Sequence, residues 1–511
     1  MEILSGMNTK PTVTSAGAGQ TARRCEYPML LTADALRAVF VSCADFQMRA
    51  LSLGLRDGRT ARVCWLDGLV DGALVSETVI RPLTSALRAD GGETPQRSLE
   101  RAMAGAVYSY SAQRRDTLDE AVDDLTHGCC LLLFDGVCRA VSFEVRSACA
   151  RPVSEPTLEK SIKGARDSFV ETLRVNTALV RRRLATPALK IVESGVGRVS
   201  HTRIALLFLE GTADPALTET LCARLDALDI DALAAAGPLE AALIDAPDSP
   251  FPQLLHTERP DRLARYLLEG RVGILVDGLP IAFAAPVRFS DFMRVASDLN
   301  DHRLIAGALT VLRWLALGLS LLLPALYVAV ALYHQEMIPT RLLLSVIEAK
   351  RSVPFSTALE VLGMLVSFEL LQEAGLHLPN PIGDTVSIIG ALIVGQAAVE
   401  ARLVSPIAII VVAVSGIACY TMPSQDMGSA VRLCRAGLLL SAIAAGLYGL
   451  ALFSCLLAAH LASLDSFGVN YTAPLSAQSG GGLLQILLPG PREAQKLRDP
   501  LLHPQDRRRQ R

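Results

Sequence analysis

Gln396 and Glu400 stand four residues apart in the stretch PIGDTVSIIGALIVGQAAVEARLVSP, which runs from Pro381 to Pro406. On a helix that spacing puts both side chains on one face. At about 100° per residue, Thr385 falls within about 20° of Gln396. The residues around them are apolar enough for a bilayer, where a carboxylate costs roughly 2.5–3.5 kcal/mol even on a lenient scale. A residue of that kind faces a bundle interior or a water-filled path. Rings of carboxylates favour cations because they replace part of the ion's hydration shell. Thr385, Gln396 and Glu400 are therefore candidates for lining a cation path, with Glu369 and Glu373 at its mouth. Two plainer alternatives stay open. Glu400 can be a helix-end residue paired with Arg402, and Gln396 can make an interhelical hydrogen bond. Glu360 sits about 180° from Glu369 on a helix, so one pore cannot be lined by both unless the segment breaks.

The elements that must hold these residues are apolar segments within 301–465. Leu304 to Tyr333 is long enough to span a bilayer, with Pro324 as a kink site. Leu359 to Leu376 carries three glutamates and is too acidic for an ordinary span, which suggests a re-entrant or interfacial segment. Ile382 to Val399, Val404 to Met422 and Ala436 to Leu464 complete the set. In the last, Ala442/Gly446 and Ala445/Gly449 are spaced for close helix contact. A long N-terminal part and the tail arginines both favour the cytosol, which asks for an even number of crossings. Arg432 and Arg435, placed before the last span, argue the other way, so four and five spans both stand.

Ahead of this lies a soluble half. Four apolar runs end in an acidic residue and a glycine: ARVCWLDG, CCLLLFDG, RIALLFLEG and GILVDG, closing at Gly68, Gly136, Gly211 and Gly278. Such runs read as buried strands ended by a turn. Their near-regular spacing predicts two similar α/β subdomains, 46–150 and 151–300, after a disordered lead over 1–45. A tail over 466–511 follows the helical part. The fold class expected is thus multidomain: two tandem α/β cytosolic subdomains, then an α-helical polytopic membrane domain.

Between the subdomains, Phe169, Leu173, Val180 and Leu184 form an apolar stripe opposite Arg166, Glu171, Arg174 and Arg181, Arg182 and Arg183. The helix either packs on its own domain or docks on a neighbouring subunit; with Asn176, these polar residues are the interface candidates. Glu258, Arg259, Asp261, Glu269 and Arg271 read the same way, as an internal salt-bridge network or a subunit contact.

Composition narrows the function. The net charge of −2 gives no nucleic-acid signature. The 11 cysteines include no CxxC pair and no signal peptide is evident, which fits a reducing cytosol for the soluble half. Hydrophobic residues make up 51% and mean hydropathy is +0.36, with the excess after residue 303. Gly195-x-Gly197 is too short for a dinucleotide fingerprint, and the histidines show no HExxH spacing. No nucleophile–base pairing is evident. Neither an enzyme, a cofactor nor a metal is expected.

Several blocks resemble the GerA family of spore germination proteins. They are GARDSFVETLRVNTALVRRRL (164–184), TERPDRLARYLLEGRVGILVDGLPIAFAAP (257–286), VPFSTALEVLGMLVSFELLQEAGLHLP (353–379), IGDTVSIIGALIVGQAAVEARLVSP (382–406) and LDSFGVNYTAPLS (464–476). Ser168 departs from the family's usual glycine, and Ser297-Asp298-Leu299-Asn300 from its acidic-aromatic cluster. The resemblance implies a multi-pass protein of the spore inner membrane, in contact with membrane lipid. It would act as the A subunit of a nutrient germinant receptor, beside a transporter-like B subunit that binds the germinant and a C-type lipoprotein subunit. It would form a homo-oligomeric ring with a gated central cation channel. A SpoVAF-like branch, tied to release of ions and dipicolinate, is the alternative, as is a non-conducting scaffold.

Overall fold

The computed structural model describes residues 27, 29–52, 60–88, 94–109, 111–147, 156, 159, 164–233, 235–299, 302–377, 396–473 and 496–509. It divides into two compact units. The first takes most of the chain up to Arg146; the second takes the rest, together with the short links 42–45 and 67–69.

All four apolar runs are strands, and each ends at a glycine in the left-handed region: φ is 87° at Gly68, 83° at Gly136, 74° at Gly211 and 86° at Gly278. A side chain there would strain the backbone, which is why the turn selects glycine. At Gly68 a Cβ would also lie 2.9 Å from the Cβ of Ala178, so the position is closed twice over.

The first unit holds β1 (Phe46–Leu51), β2 (Ala61–Leu66), β3 (Ala112–Arg115), β4 (Cys129–Phe134) and β5 (Ala140–Glu144), in spatial order β1-β2-β4-β5-β3. Helix α1 (Ala33–Val39) starts at an N-cap Thr32, and α2 (Leu118–Thr126) at Thr117. Every residue of β4 is buried, as its unbroken apolar run requires.

The second unit repeats the plan with β6 (Leu189–Val196), β7 (Thr202–Leu209), β8 (Leu255–Thr257), β9 (Val272–Val276) and β10 (Ala282–Ala285), in order β6-β7-β9-β10-β8. Replacing each strand of the first sheet by the one five later reproduces the second. All paired neighbours are antiparallel. The Asp-Gly turns at 135–136 and 277–278 therefore close hairpins, β4–β5 and β9–β10, whereas Gly68 and Gly211 lead into helical stretches. Helices α3 (Leu173–Arg183), α4 (Pro215–Asp226), α5 (Ala236–Leu243) and α6 (Pro260–Leu268) belong to this half.

The helical part continues the second unit with α7 (Arg303–Tyr333), α8 (Thr340–Lys350), α9 (Thr357–His377), α10 (Pro406–Tyr420) and α11 (Gln425–Ser463). Two of them, α7 and α11, are long and apolar enough to cross a membrane. The acidic segment forms one continuous helix of 21 residues, α9. One expectation is corrected here. The final segment is not one straight span, because α11 breaks at Ala445 and Gly446, where Gly446 takes φ 60° and ψ −139°. The chain then doubles back. Phe453 reaches Gly437, where an added Cβ would run into its ring; on a straight helix those residues would lie about 24 Å apart. The Tyr333 hydroxyl donates to the Ile443 carbonyl at 2.6 Å, so the apex of this hairpin sits beside the end of α7.

After the hairpin the chain returns to the second sheet. Phe289 N–H donates to the Tyr471 carbonyl at 2.8 Å, and Gln505 N–H to Thr212 at 3.0 Å. The described parts of the 466–511 tail thus pack on the second unit.

Candidate functional site

Where the helices meet the second sheet there is a cavity of about 670 Å³, lined among others by His256, Thr257, Arg262, Gln372, Asp426 and Arg432. His256 lies on β8, the edge strand, with its ring against Phe283 in a T-shaped contact of 5.0 Å. Its Nδ1 is 2.9 Å from a carboxylate oxygen of Asp426 in the first turn of α11. Its Nε2 is 2.9 Å from a carboxylate oxygen of Glu240 on α5, an ion pair with the charged ring. Burial alone would push the imidazole's pKa down. The carboxylates of Asp426 and Glu240 outweigh it and raise the pKa to about 9, so the ring is an imidazolium at neutral pH. It joins sheet, α5 and α11 as one cation between two anions.

The other foot of the hairpin is held too. Ser249 and His460, near the end of α11, are 2.9 Å apart through Oγ and Nε2. Three turns into α7, Arg313 forks onto Asp298 at 2.6 and 2.9 Å, and Trp314 packs on Phe289. Asp298 belongs to the stretch that departs from the expected acidic-aromatic pattern, and it still supplies the acid.

Inside the helical part a polar chain ties four helices together. Arg435 and Arg432 of α11 both pair with Glu369 of α9. Arg435 also donates to Ser415 of α10 at 3.1 Å, and the Ser415 hydroxyl donates to the Ser320 carbonyl of α7 at 3.0 Å. Arg435 is almost wholly enclosed, at 2% exposure.

The structure revises several sites picked from sequence. Glu369 pairs with two guanidinium groups and ties α9 to α11. Arg432 and Arg435 lie within α11, not in a loop before it. Glu373 is exposed one turn further along α9, and Gln396 and Glu400 are exposed on a helical stretch over 396–400. Thr385 lies outside the described residues. Among the interface candidates, Asn176, Arg181, Arg259 and Arg271 are enclosed by their own chain, and a side chain so enclosed cannot reach a neighbour. Asn176 locks the Val170 backbone through two hydrogen bonds. Arg181 forks onto Asp45 at 2.8 and 2.9 Å, and Arg259 forks onto Asp261. Arg271 pairs with Asp291 at 2.8 Å and with Glu269. Burial pushes the Asp291 carboxyl up, but Arg271 and Arg288 outweigh that and hold it well below the usual carboxylate range. Arg174 pairs with Asp67 and Glu193, Arg182 donates to the Ser147 carbonyl, and Arg183 forks onto Asp167. Arg166 and Glu171 are exposed, and Glu258 is half-buried on the cavity wall. His256 was missed because its partners Glu240 and Asp426 are remote in sequence.

A profile of the family described as Bacillus/Clostridium GerA spore germination protein matches residues 34–501, nearly the whole chain. The chain belongs to the GerA family. Among its relatives, spore germination protein KA of Bacillus subtilis is 36% identical over 470 residues, covering 92% of this chain and 86% of that one. Spore germination protein B1 of the same organism is 34% identical over 451 residues, 88% and 92% of the two chains. An uncharacterized membrane protein of that organism, YfkQ, is 35% identical over 434 residues, 85% and 83%. Among solved structures, the N-terminal domain of the A subunit of the Bacillus megaterium spore germinant receptor GerK3 is 26% identical. It covers 50% of this chain and 93% of that one, at a TM-score of 0.39. KA and B1, relatives of this GerA-family chain, are spore germination proteins.

Proposed function

We propose that this chain is the A subunit of a nutrient germinant receptor in the spore inner membrane, forming a homo-oligomeric ring whose helices make a gated cation path. A transporter-like B subunit would bind the germinant, a C-type lipoprotein subunit would complete the receptor, and membrane lipid would surround the helices. The observation that carries this is the double clamp on α11, His256–Asp426 at one foot and Ser249–His460 at the other. It gives a soluble domain that senses assembly or a partner a direct hold on the membrane helices. Gln396, Glu400 and Glu373, exposed on their helices, remain the candidates for the wall of the path, with Thr385. Arg166 and Glu171 remain candidates for the contact between subunits.

A second reading, a non-conducting scaffold that signals by contact, is favoured by the paired state of Glu369, since it removes one open charge from the path. Membership of the SpoVAF-like branch would keep the ion path and change its trigger. Ion flux through the purified chain in liposomes, beside Glu400→Gln, tests the first reading. Cation leak altered by the substitution supports a path at Glu400. Absence of flux even with B subunit, C subunit and germinant supports the scaffold.

A further inference from the structure

Glu360 is absorbed by none of this. It opens α9, is 3% exposed, and lies deep in the helical part. One carboxylate oxygen accepts the backbone N–H of Ser405, the N-cap of α10, whose own hydroxyl oxygen accepts from Ala408 N–H. The helix N-terminus therefore has its anion already. The other oxygen, Oε2, is enclosed and has no hydrogen-bond partner among the described residues. A buried carboxylate oxygen left in that state is costly unless a positive charge meets it.

Its surroundings are oxygen-rich and short of further acids. The Tyr327 phenol of α7 hydrogen-bonds the Ser405 side chain and interacts electrostatically with Glu360, and Thr357 is buried one turn before Glu360 on α9. Among the described residues no three His, Cys, Asp or Glu side chains gather to hold a metal ion, which argues against a divalent ion. One carboxylate with several neutral oxygens is the donor set of a singly charged hard cation. Lys350, at the end of α8, donates to the Thr357 hydroxyl and interacts electrostatically with Glu360.

We infer that Glu360, with the hydroxyls of Tyr327, Thr357 and Ser405, forms a binding site for a monovalent alkali cation at the junction of α7, α9 and α10. Lys350 stands at its rim as a tethered competitor. The site does not require that ions pass through the chain. It deepens the proposed cation path by giving the ion a resting place, and its test is binding, not flux.

The thermal midpoint of the purified full chain in detergent is compared in sodium, potassium and N-methylglucamine chloride at one ionic strength. An alkali cation should raise the midpoint relative to the bulky organic cation, and Glu360→Gln should abolish that difference. Lys350→Met removes the competing charge, so the half-saturating cation concentration should fall several-fold. Equal midpoints in all three salts would overturn the site and leave Lys350 as the counter-charge. So would a shift retained in Glu360→Gln, or, should that variant not fold, an unchanged half-saturation in Lys350→Met. Binding without flux would keep the site and sink the path; flux without ion-specific binding would do the reverse.

Discussion

The two sheets share a strand order, yet they stand on different interiors. In the first unit the buried polar side chains among the described residues are Ser98, Thr126 and Ser142, and none is charged. In the second unit Asp45, Arg181, Lys190, Arg259, Arg271, Arg288, Asp291, Glu360 and Arg435 are all buried. The first is an ordinary apolar core, in which Leu132, Phe134, Val141 and Phe143 meet across β4 and β5. The second spends desolvation energy on charges that must find particular partners, which ties its geometry to those partners more narrowly than apolar packing would. That is the half continuous with the helices.

The sharpest way to break the comparison is Arg181→Met. It leaves Asp45 buried without its cation, and removing one partner of a fully buried pair costs about 3–5 kcal/mol. Denaturant unfolding of the full chain should show that loss. A cost under about 1 kcal/mol would mean the pair is not enclosed as described. The double change Arg181→Met with Asp45→Leu should recover much of it, since an apolar pair of similar size replaces the buried charges.

A middle-sized effect is expected in the hairpin. Gly437→Leu puts a side chain where the Phe453 ring lies, and overpacking of that kind costs about 1–3 kcal/mol. Gly437→Leu with Phe453→Ala should restore the thermal midpoint in part. If the single change were silent, the two arms of α11 would not be packed together.

Which of these features could be read from the sequence follows from how local their causes are. The four strand-ending turns were legible because an apolar run, an acid and a glycine sit side by side, and the left-handed φ is a property of the glycine alone. The amphipathic helix at 173–183 was legible for its apolar stripe. Its arginines were not, because Arg181 finds Asp45 across 136 residues, and no pattern around either announces the other. The antiparallel order was hidden because an Asp-Gly turn can lead into a hairpin or a helix. The break in α11 was hidden as well: Ala445-Gly446 carries no proline, and its small residues read as helix packing. The glutamates of α9 were visible as acids in an apolar segment, but their fates, one tied to two arginines and one half-satisfied beside Ser405, depend on helices that only the fold brings near.

The last test compares one register position in both sheets. His256 pairs with Phe283 on β10, and Arg114 pairs with Val141 on β5, so the two occupy equivalent places on their edge strands. Arg114 makes a surface pair with Asp116 at 3.0 Å, and Arg114→Met should change stability by less than about 0.5 kcal/mol at any pH between 6 and 9. His256 is the same position turned into a contact. Its pKa is raised to about 9, so its contribution is fully present below the free imidazole value of about 6.5 and is lost as pH rises through about 9. The thermal midpoint of the wild type should therefore fall more between pH 6.5 and 9.5 than that of His256→Gln, and the two curves should converge at the alkaline end. Asp426→Asn should reduce the same slope from the other side of the contact. Parallel curves for wild type and His256→Gln would mean that the second sheet and α11 are not joined through this imidazolium. The two edge strands would then differ in sequence but not in role.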